Sequence, residues 1–238
     1  MTREQVYGRR PVREALLAGR RQVLELWVTD RALATEAWLS EGPRPQEKPD
    51  RELSEAAGTR DHQGVLAWCE PYPYADAYEL AAVERPLLVC LDEVTDPRNL
   101  GAVCRSAEGA GATGVVVPAH RSATVTSVVC KASAGAVEHL PVAVVTNLAR
   151  YLKDIKRDDL WSYCADADAS QTMWEADLTG GVALVFGAEG TGVRPLVRRT
   201  CDGAISIPLG GRVESLNVSV AASLLLYEAR RQRGPTGV

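Results

Sequence analysis

What the chain lacks narrows its function first. No run approaches the roughly 18 apolar residues that a membrane helix needs, and the start, Met1-Thr2-Arg3-Glu4-Gln5, has no apolar core of the exporting kind. The expected location is the cytoplasm. There is no G-x-x-x-x-G-K-[ST] phosphate loop and no G-x-S-x-G nucleophile elbow. The six cysteines include no C-x-x-C pair and have no histidine at ligand spacing, so neither zinc nor disulfides are expected. Cys69, Cys90 and Cys164 instead lie in apolar runs, where a thiol behaves as a small core group. An excess of basic charge is missing too: 27 Lys and Arg face 31 Asp and Glu, for a net charge of −4. A mean can hide a patch. Arg3, Arg9, Arg10, Arg13, Arg20 and Arg21 crowd the first stretch against Glu4 and Glu14, a run that composition alone reads as a solvated face.

What is present divides the chain in two. Residues 1–70 alternate helix and strand. Pro11 to Ala18 reads as a helix closed by Gly19, Val23 to Thr29 as a strand, then a helical stretch to Leu39. Gly42-Pro43-Arg44-Pro45 is a turn-rich loop, Asp50 to Ala57 a helix ended by Gly58, and Gly64 to Cys69 a closing strand. Residues 71–85 open with Pro71-Tyr72-Pro73, the mark of an extended linker. Over 86–238 strands and helices alternate. Strands are expected at Leu87–Leu91, Gly114–Val117, Val142–Val145, Leu160–Ala165, Val182–Phe186 and Ala204–Ile207. Helices are expected at Asn99–Glu108, Thr124–Ser133, Asn147–Lys156, Pro195–Thr200 and Leu216–Arg231. Such alternation specifies an α/β fold with a mostly parallel sheet covered on both faces. Gly109-Ala110-Gly111-Ala112-Thr113-Gly114 matches the dinucleotide-binding string, but it follows a helix and precedes a strand. That order is backwards for a pyrophosphate site and reads as a helix stop.

Three segments begin where apolar strands give way to Gly, Asn or Pro: Val94-Thr95-Asp96-Pro97-Arg98-Asn99-Leu100-Gly101 on to Arg105, Phe186-Gly187-Ala188-Glu189-Gly190-Thr191-Gly192, and Ile207-Pro208 on to Ser215-Leu216-Asn217-Val218-Ser219. Strand-end loops of this kind hold ligands in open α/β sheets. Asp96 can cap a helix with Pro97 at its first position, and Gly101 removes bulk four residues before Arg105. That leaves room for another group to approach the helix, whether a ligand or simply a packed neighbour. Glycines at 187, 190 and 192 permit either close approach to a ligand or an ordinary tight turn. Ser215 or Asn217 alone would serve as a helix cap.

In order and context the three segments resemble the motifs of the SpoU (TrmH-type) branch of the SPOUT methyltransferases, which move a methyl group from S-adenosylmethionine to an RNA ribose 2′-hydroxyl. The resemblance implies a SPOUT-type sheet with a C-terminal trefoil knot, a feature that the helix–strand pattern does not reveal and that unknotted defaults oppose. Val6-Tyr7-Gly8, the segment Pro11 to Leu16, and His62-Gln63-Gly64-Val65 are similar to the substrate-binding domain of many SpoU enzymes, itself like kink-turn-binding ribosomal proteins. That likeness turns the early arginines into candidates for RNA contact.

The family places Asn99, Arg105, Glu189, Ser215 and Asn217 at the catalytic positions, and Gly187, Ile207 and Leu216 against the methyl donor. Glu189 is implied to fix Asn99 and its loop. A guanidinium, protonated throughout the physiological range, is a poor free base. Arg105 is therefore favoured as a phosphate clamp that also stabilises alkoxide charge, and whether it also accepts the proton stays open at this point. Arg212-Val213-Glu214 departs from the small, serine-rich lead-in usual before the third motif.

Within the group the chain most resembles the bacterial 23S rRNA guanosine-2′-O-methyltransferases. The alternatives are a tRNA guanosine-2′-O-methyltransferase, an antibiotic-resistance rRNA methyltransferase, or an RNA-binding ribosome-assembly factor with a vestigial site. The resemblance also implies a homodimer. In it, the last helix would bury Leu216, Val220, Leu224 and Tyr227, with Ala221 and Leu225, across a two-fold interface.

Overall fold

The computed structural model describes residues 2–234. In the first unit, alternating apolar positions turn one sheet face inward. The elements are β1 (Glu4–Tyr7), α1 (Arg9–Ala18), β2 (Val23–Val28), α2 (Asp30–Thr35), β3 (Gln46–Glu47), α3 (Asp50–Ala57) and β4 (Val65–Cys69). They build a four-stranded sheet of order β1-β4-β2-β3. Gly19 and Gly58 close α1 and α3 in the left-handed conformation that glycine adopts without strain. Strand β1 lies outside the expected set. Its first two residues are polar, and only pairing with β4, Glu4 opposite Cys69, makes it a strand.

The second unit follows from strands that are apolar along their whole length, which only burial on both faces accommodates. It runs α4 (Ala77–Ala82), β5 (Leu87–Asp92), α5 (Pro97–Gly109), β6 (Gly114–Pro118), α6 (Ser127–Ala132), β7 (Val142–Val145), α7 (Leu148–Asp154), β8 (Leu160–Ala165), β9 (Gly181–Gly187), α8 (Pro195–Thr200), β10 (Gly203–Ile205) and α9 (Val218–Arg233). The six strands form one parallel sheet of order β10-β8-β9-β5-β6-β7. Strand pleating splits β5 between two cores. Leu87, Val89 and Leu91 join Leu100, Val103 and Ala107 of α5 and Ala222, Leu225 and Leu226 of α9. Leu88 and Cys90 meet Leu80, Leu148, Leu152 and Val197 of α4, α7 and α8.

Residues 71–85 begin extended, as Pro71 and Pro73 require, but Tyr72 is buried and Ala75 bridges Ala143. Asp76 then caps α4 by accepting from the backbone N–H of Tyr78 and Glu79. With no proline from Tyr74 to Glu84, nothing prevents that helix.

The two units share a core. Val6, Val12 and Val65 of the first belong to the same buried cluster as Val129, Val137 and Leu140 of the second. Arg21, with a side chain 2% exposed, pairs with the buried Glu138 and reaches Glu4 at 3.2 Å. The Tyr72 hydroxyl lies 3.0 and 3.1 Å from the carbonyls of Val137 and Leu140. Arg20 donates to the carbonyls of Leu140 and Pro73. The arginine run is therefore not one RNA-facing patch. Arg20 and Arg21 are drawn into the seam by its carboxylate and carbonyls, and Arg3 and Arg9 pair with Glu25 and Glu36. Arg10 and Arg13 remain exposed.

Candidate active site

The C-terminal ends of β5 and β9 open into two loops, and a third returns from β10 to α9. Asp96 caps α5 by accepting from the Arg98 N–H at 2.8 Å, with Pro97 in the first turn. Asn99 thereby stands in the first turn of α5. The loop after β9 turns on Gly190 and Gly192, both at positive φ, and closes through the Gly192 N–H to the Ala188 carbonyl at 2.9 Å. Asn217 caps α9, its side-chain oxygen accepting from the Ser219 N–H at 2.8 Å and hydroxyl at 2.5 Å.

Asn99, Glu189 and Asn217 meet. The Asn99 amide donates to Glu189 Oε1 at 2.9 Å. The Asn217 amide donates to Asn99 Oδ1 at 3.0 Å and to the same Glu189 oxygen at 2.5 Å. One carboxylate oxygen thus collects both amides, and Asn217 uses its other end to start a helix. The cluster is open to solvent, with Asn99 in the first turn of α5, Asn217 capping α9 and Glu189 in the loop after β9.

Arg105 and Ser215 are not part of it. Both are exposed, and neither side chain makes a hydrogen bond or ion pair among the described residues. Arg105 lies roughly 9 Å along the α5 axis from Asn99 at 1.5 Å per residue. Its neighbour Ser106 receives a hydrogen bond from Ser223 of α9 at 2.6 Å. A free guanidinium on a rigid helix can grip an arriving phosphate or oxyanion without first breaking an ion pair.

Ile207 is half-buried against the core just beyond β10, and Leu216 is half-buried next to Asn217. Between them, the backbone of residues 207–216 makes no hydrogen bond within the described chain. Such N–H and carbonyl groups demand a partner from outside, water or ligand. A β-carbon built on Gly210 or Gly211 meets no atom within 4 Å, so the loop borders open space. This is a fitting wall for a ligand read through main-chain groups.

At two glycines the chain itself takes the space that the missing side chain leaves. A β-carbon on Gly101 would lie 2.9 Å from the Val129 carbonyl oxygen and still closer to Ala132. The space beneath Arg105 admits helix α6 rather than a ligand. A β-carbon on Gly187 would overlap the backbone of Gly192 and Val193. Glycine there lets the loop fold back over its own strand. The string from Gly109 to Gly114 ends α5, with Gly111 at φ 74°, and starts β6, as a helix stop should.

Sequence reasoning missed Asp92 and Arg194. Asp92 ends β5, is fully buried, and accepts from the Arg194 backbone N–H at 2.9 Å and from its guanidinium at 2.9 and 2.6 Å. Hydrogen bonding to that carboxylate raises the affinity of Arg194 for its proton. A carboxylate closing an otherwise apolar strand was the available signal.

Comparison with known proteins follows the same division. Residues 86–227 match the SpoU rRNA Methylase family. Residues 5–75 match the family described as RNA 2′-O ribose methyltransferase substrate binding. The 23S rRNA (guanosine-2′-O-)-methyltransferase RlmB of Ralstonia nicotianae is 48% identical over 180 residues, 74% of this chain and 72% of that protein. The SpoU methyltransferase AviRb from Streptomyces viridochromogenes, crystallised with AdoMet, superposes with a TM-score of 0.80 at 28% identity, covering 96% of this chain and 89% of that one. The TrmH/SpoU tRNA modifying enzyme of A. aeolicus, at 29% identity and a TM-score of 0.56, covers 66% of this chain and 81% of its own.

Proposed function

The chain belongs to the SpoU rRNA methylase family and is an S-adenosylmethionine-dependent RNA ribose 2′-O-methyltransferase, and we propose that its target is a guanosine of 23S rRNA. The observation that carries the reading is the bonded cluster of Asn99, Glu189 and Asn217, formed at strand ends by the three segments singled out in the sequence. The 48% identity to a relative named for guanosine methylation of 23S rRNA favours an rRNA over a tRNA substrate.

S-adenosylmethionine supplies a methyl group already activated by its sulfonium. The backbone of Gly187, Ile207 and Leu216 holds the donor, and the unpaired main chain of 207–216 supports this assignment. The protein's remaining task is to align the acceptor hydroxyl and stabilise the charge it develops, and positioning of this kind supplies much of such a rate enhancement. Arg105 grips the phosphate beside the acceptor ribose and faces the nascent alkoxide. Asn99 and Asn217, fixed through Glu189, set the pocket wall, and Ser215 completes it next to the donor.

In this reading residues 1–70 capture RNA as a ribosomal-protein-like domain, residues 71–85 connect, and 86–238 form the catalytic domain. The trefoil knot is part of the same reading, and the return of the chain from edge strand β10 to α9, which packs on α5 and β9, supports it. The protein acts in the cytoplasm as a homodimer through α9. The support for the dimer is a stripe of Val220, Leu224 and Tyr227, 45%, 41% and 53% exposed, while Ala222, Leu225, Leu226 and Ala229 fill the monomer's own core.

Mapping 2′-O-methyl groups in rRNA and tRNA from cells with and without the gene tests the function. Loss of one guanosine methylation in 23S rRNA is expected. Loss in tRNA alone would overturn the target, and donor binding without methyl transfer to any RNA would mark an assembly factor.

A further inference from the structure

Asp92 and Gly187 are register partners at the ends of adjacent strands β5 and β9. The chain leaves Gly187, runs through Glu189, folds back so that Gly192 and Val193 lie over Gly187, and reaches Arg194. There it returns to Asp92. The carboxylate takes the Arg194 backbone N–H on one oxygen and two guanidinium N–H groups on the other. Both feet of the Glu189 loop therefore stand on one buried residue. Arg194 also lies 3.4 Å from Glu93, whose left-handed backbone, φ 59°, turns the chain out of β5 toward the cap of α5 and Asn99. The first and second loops share this anchor.

We propose that Asp92 and Arg194 form a positioning clamp that fixes Glu189 against Asn99 and Asn217, and so sets the rate of methyl transfer without touching RNA or donor. The inference rests on the reading of that cluster as catalytic. The physical case is one of leverage. The arch from Ala188 to Val193 has one short internal hydrogen bond, and its glycines leave it otherwise free to shift. A bidentate guanidinium and a backbone N–H on the same carboxylate remove that freedom at its far end. Displacement of a catalytic group by about 1 Å is enough to cost on the order of a hundredfold in rate.

The test is a double-mutant cycle on single-turnover methyl transfer with the full-length protein and its RNA. Arg194→Ala and Glu189→Ala are compared singly and together. Each single variant is expected to slow transfer by roughly tenfold to a hundredfold. In the Glu189→Ala background, Arg194→Ala should then cost less than about twofold, because its effect is routed through Glu189. A merely structural role would instead slow both backgrounds equally, and that result overturns the clamp. Near-normal transfer by Glu189→Ala overturns the catalytic reading of the cluster and the clamp with it, whereas a slow Glu189→Ala beside a fast Arg194→Ala overturns the clamp alone. Arg194→Lys keeps a cation on Asp92 but loses the planar fork. It replaces Arg194→Ala in the same cycle if that variant does not fold, with the same two outcomes.

Discussion

Asn217 donates its side-chain amide to Asn99 at 3.0 Å, joining residues 118 positions apart. The contact links the cap of α9 to the first turn of α5, so the two helices that flank the site are set by one side chain acting at both ends.

Asn217→Asp separates those two duties. A carboxylate keeps the oxygen that caps the helix, since Asp and Asn are equivalent caps. It loses both donors and sets a second acceptor against Glu189. The helix content by circular dichroism should match the parent, while single-turnover transfer falls on the order of a hundredfold, the scale for one preorganised contact. Transfer within a few-fold of the parent would show that the amide is only a cap.

Leu224 tests the assembly. It stands in the exposed stripe of α9 rather than in the buried face, so a charge there should leave the monomer's core intact. Leu224→Glu places a carboxylate from each copy in the proposed apolar interface, where an unpaired charge is costly. Light scattering at micromolar concentration should report a dimer for the parent and a monomer for the variant, with little change in helix content. A monomeric parent with full activity removes the dimer from the mechanism.

Alkaline stability follows from three buried thiols. Burial pushes Cys69, Cys90 and Cys104 up to about 12 from an ordinary 9.0. The folded chain holds these protons more tightly than the unfolded one. The stability that this confers is complete below pH 9.0 and disappears as pH climbs toward about 12. Melting temperatures measured across that window should fall steadily, and a flat profile would mean that the thiols ionise as easily folded as unfolded.

Much of this architecture was readable because its signals are local. Fully apolar runs marked the parallel strands, glycines closed α1 and α3, and Asp96-Pro97 announced α5. Strand β1 escaped because Glu4 and Gln5 carry no strand pattern until β4 lies beside them. Helix α4 was hidden by the prolines before it. The roles of Gly101 and Gly187 were ambiguous for a different reason. Sequence shows that a side chain is missing but not whether a ligand, a neighbouring helix or the chain itself takes the space. Asp92 and Arg194, 102 residues apart, lie at the edges of two motifs and pair only through the order of β9 beside β5. The arginine run misled because charge was counted without the seam that absorbs Arg20 and Arg21.

Arg105 remains the sharpest test of the chemistry. Its side chain is exposed and has no hydrogen-bond or ion-pair partner among the described residues, so its removal frees no buried partner and should leave folding stability within the surface range of about 0.5 kcal/mol. Its lack of a partner also means that nothing in the fold explains an arginine there, whereas an RNA phosphate and a developing alkoxide do. Arg105→Lys retains charge but replaces the planar fork with a point cation that cannot take two oxygens in fixed geometry. If orientation dominates, lysine rescues little. Both Arg105→Lys and Arg105→Ala should lower kcat on the order of a hundredfold or more, the scale for loss of one preorganised transition-state contact. Donor binding by calorimetry and the melting temperature should stay unchanged. Full rescue by lysine would make charge alone sufficient, and near-parental rates for Arg105→Ala would leave this residue a surface arginine with no part in methyl transfer.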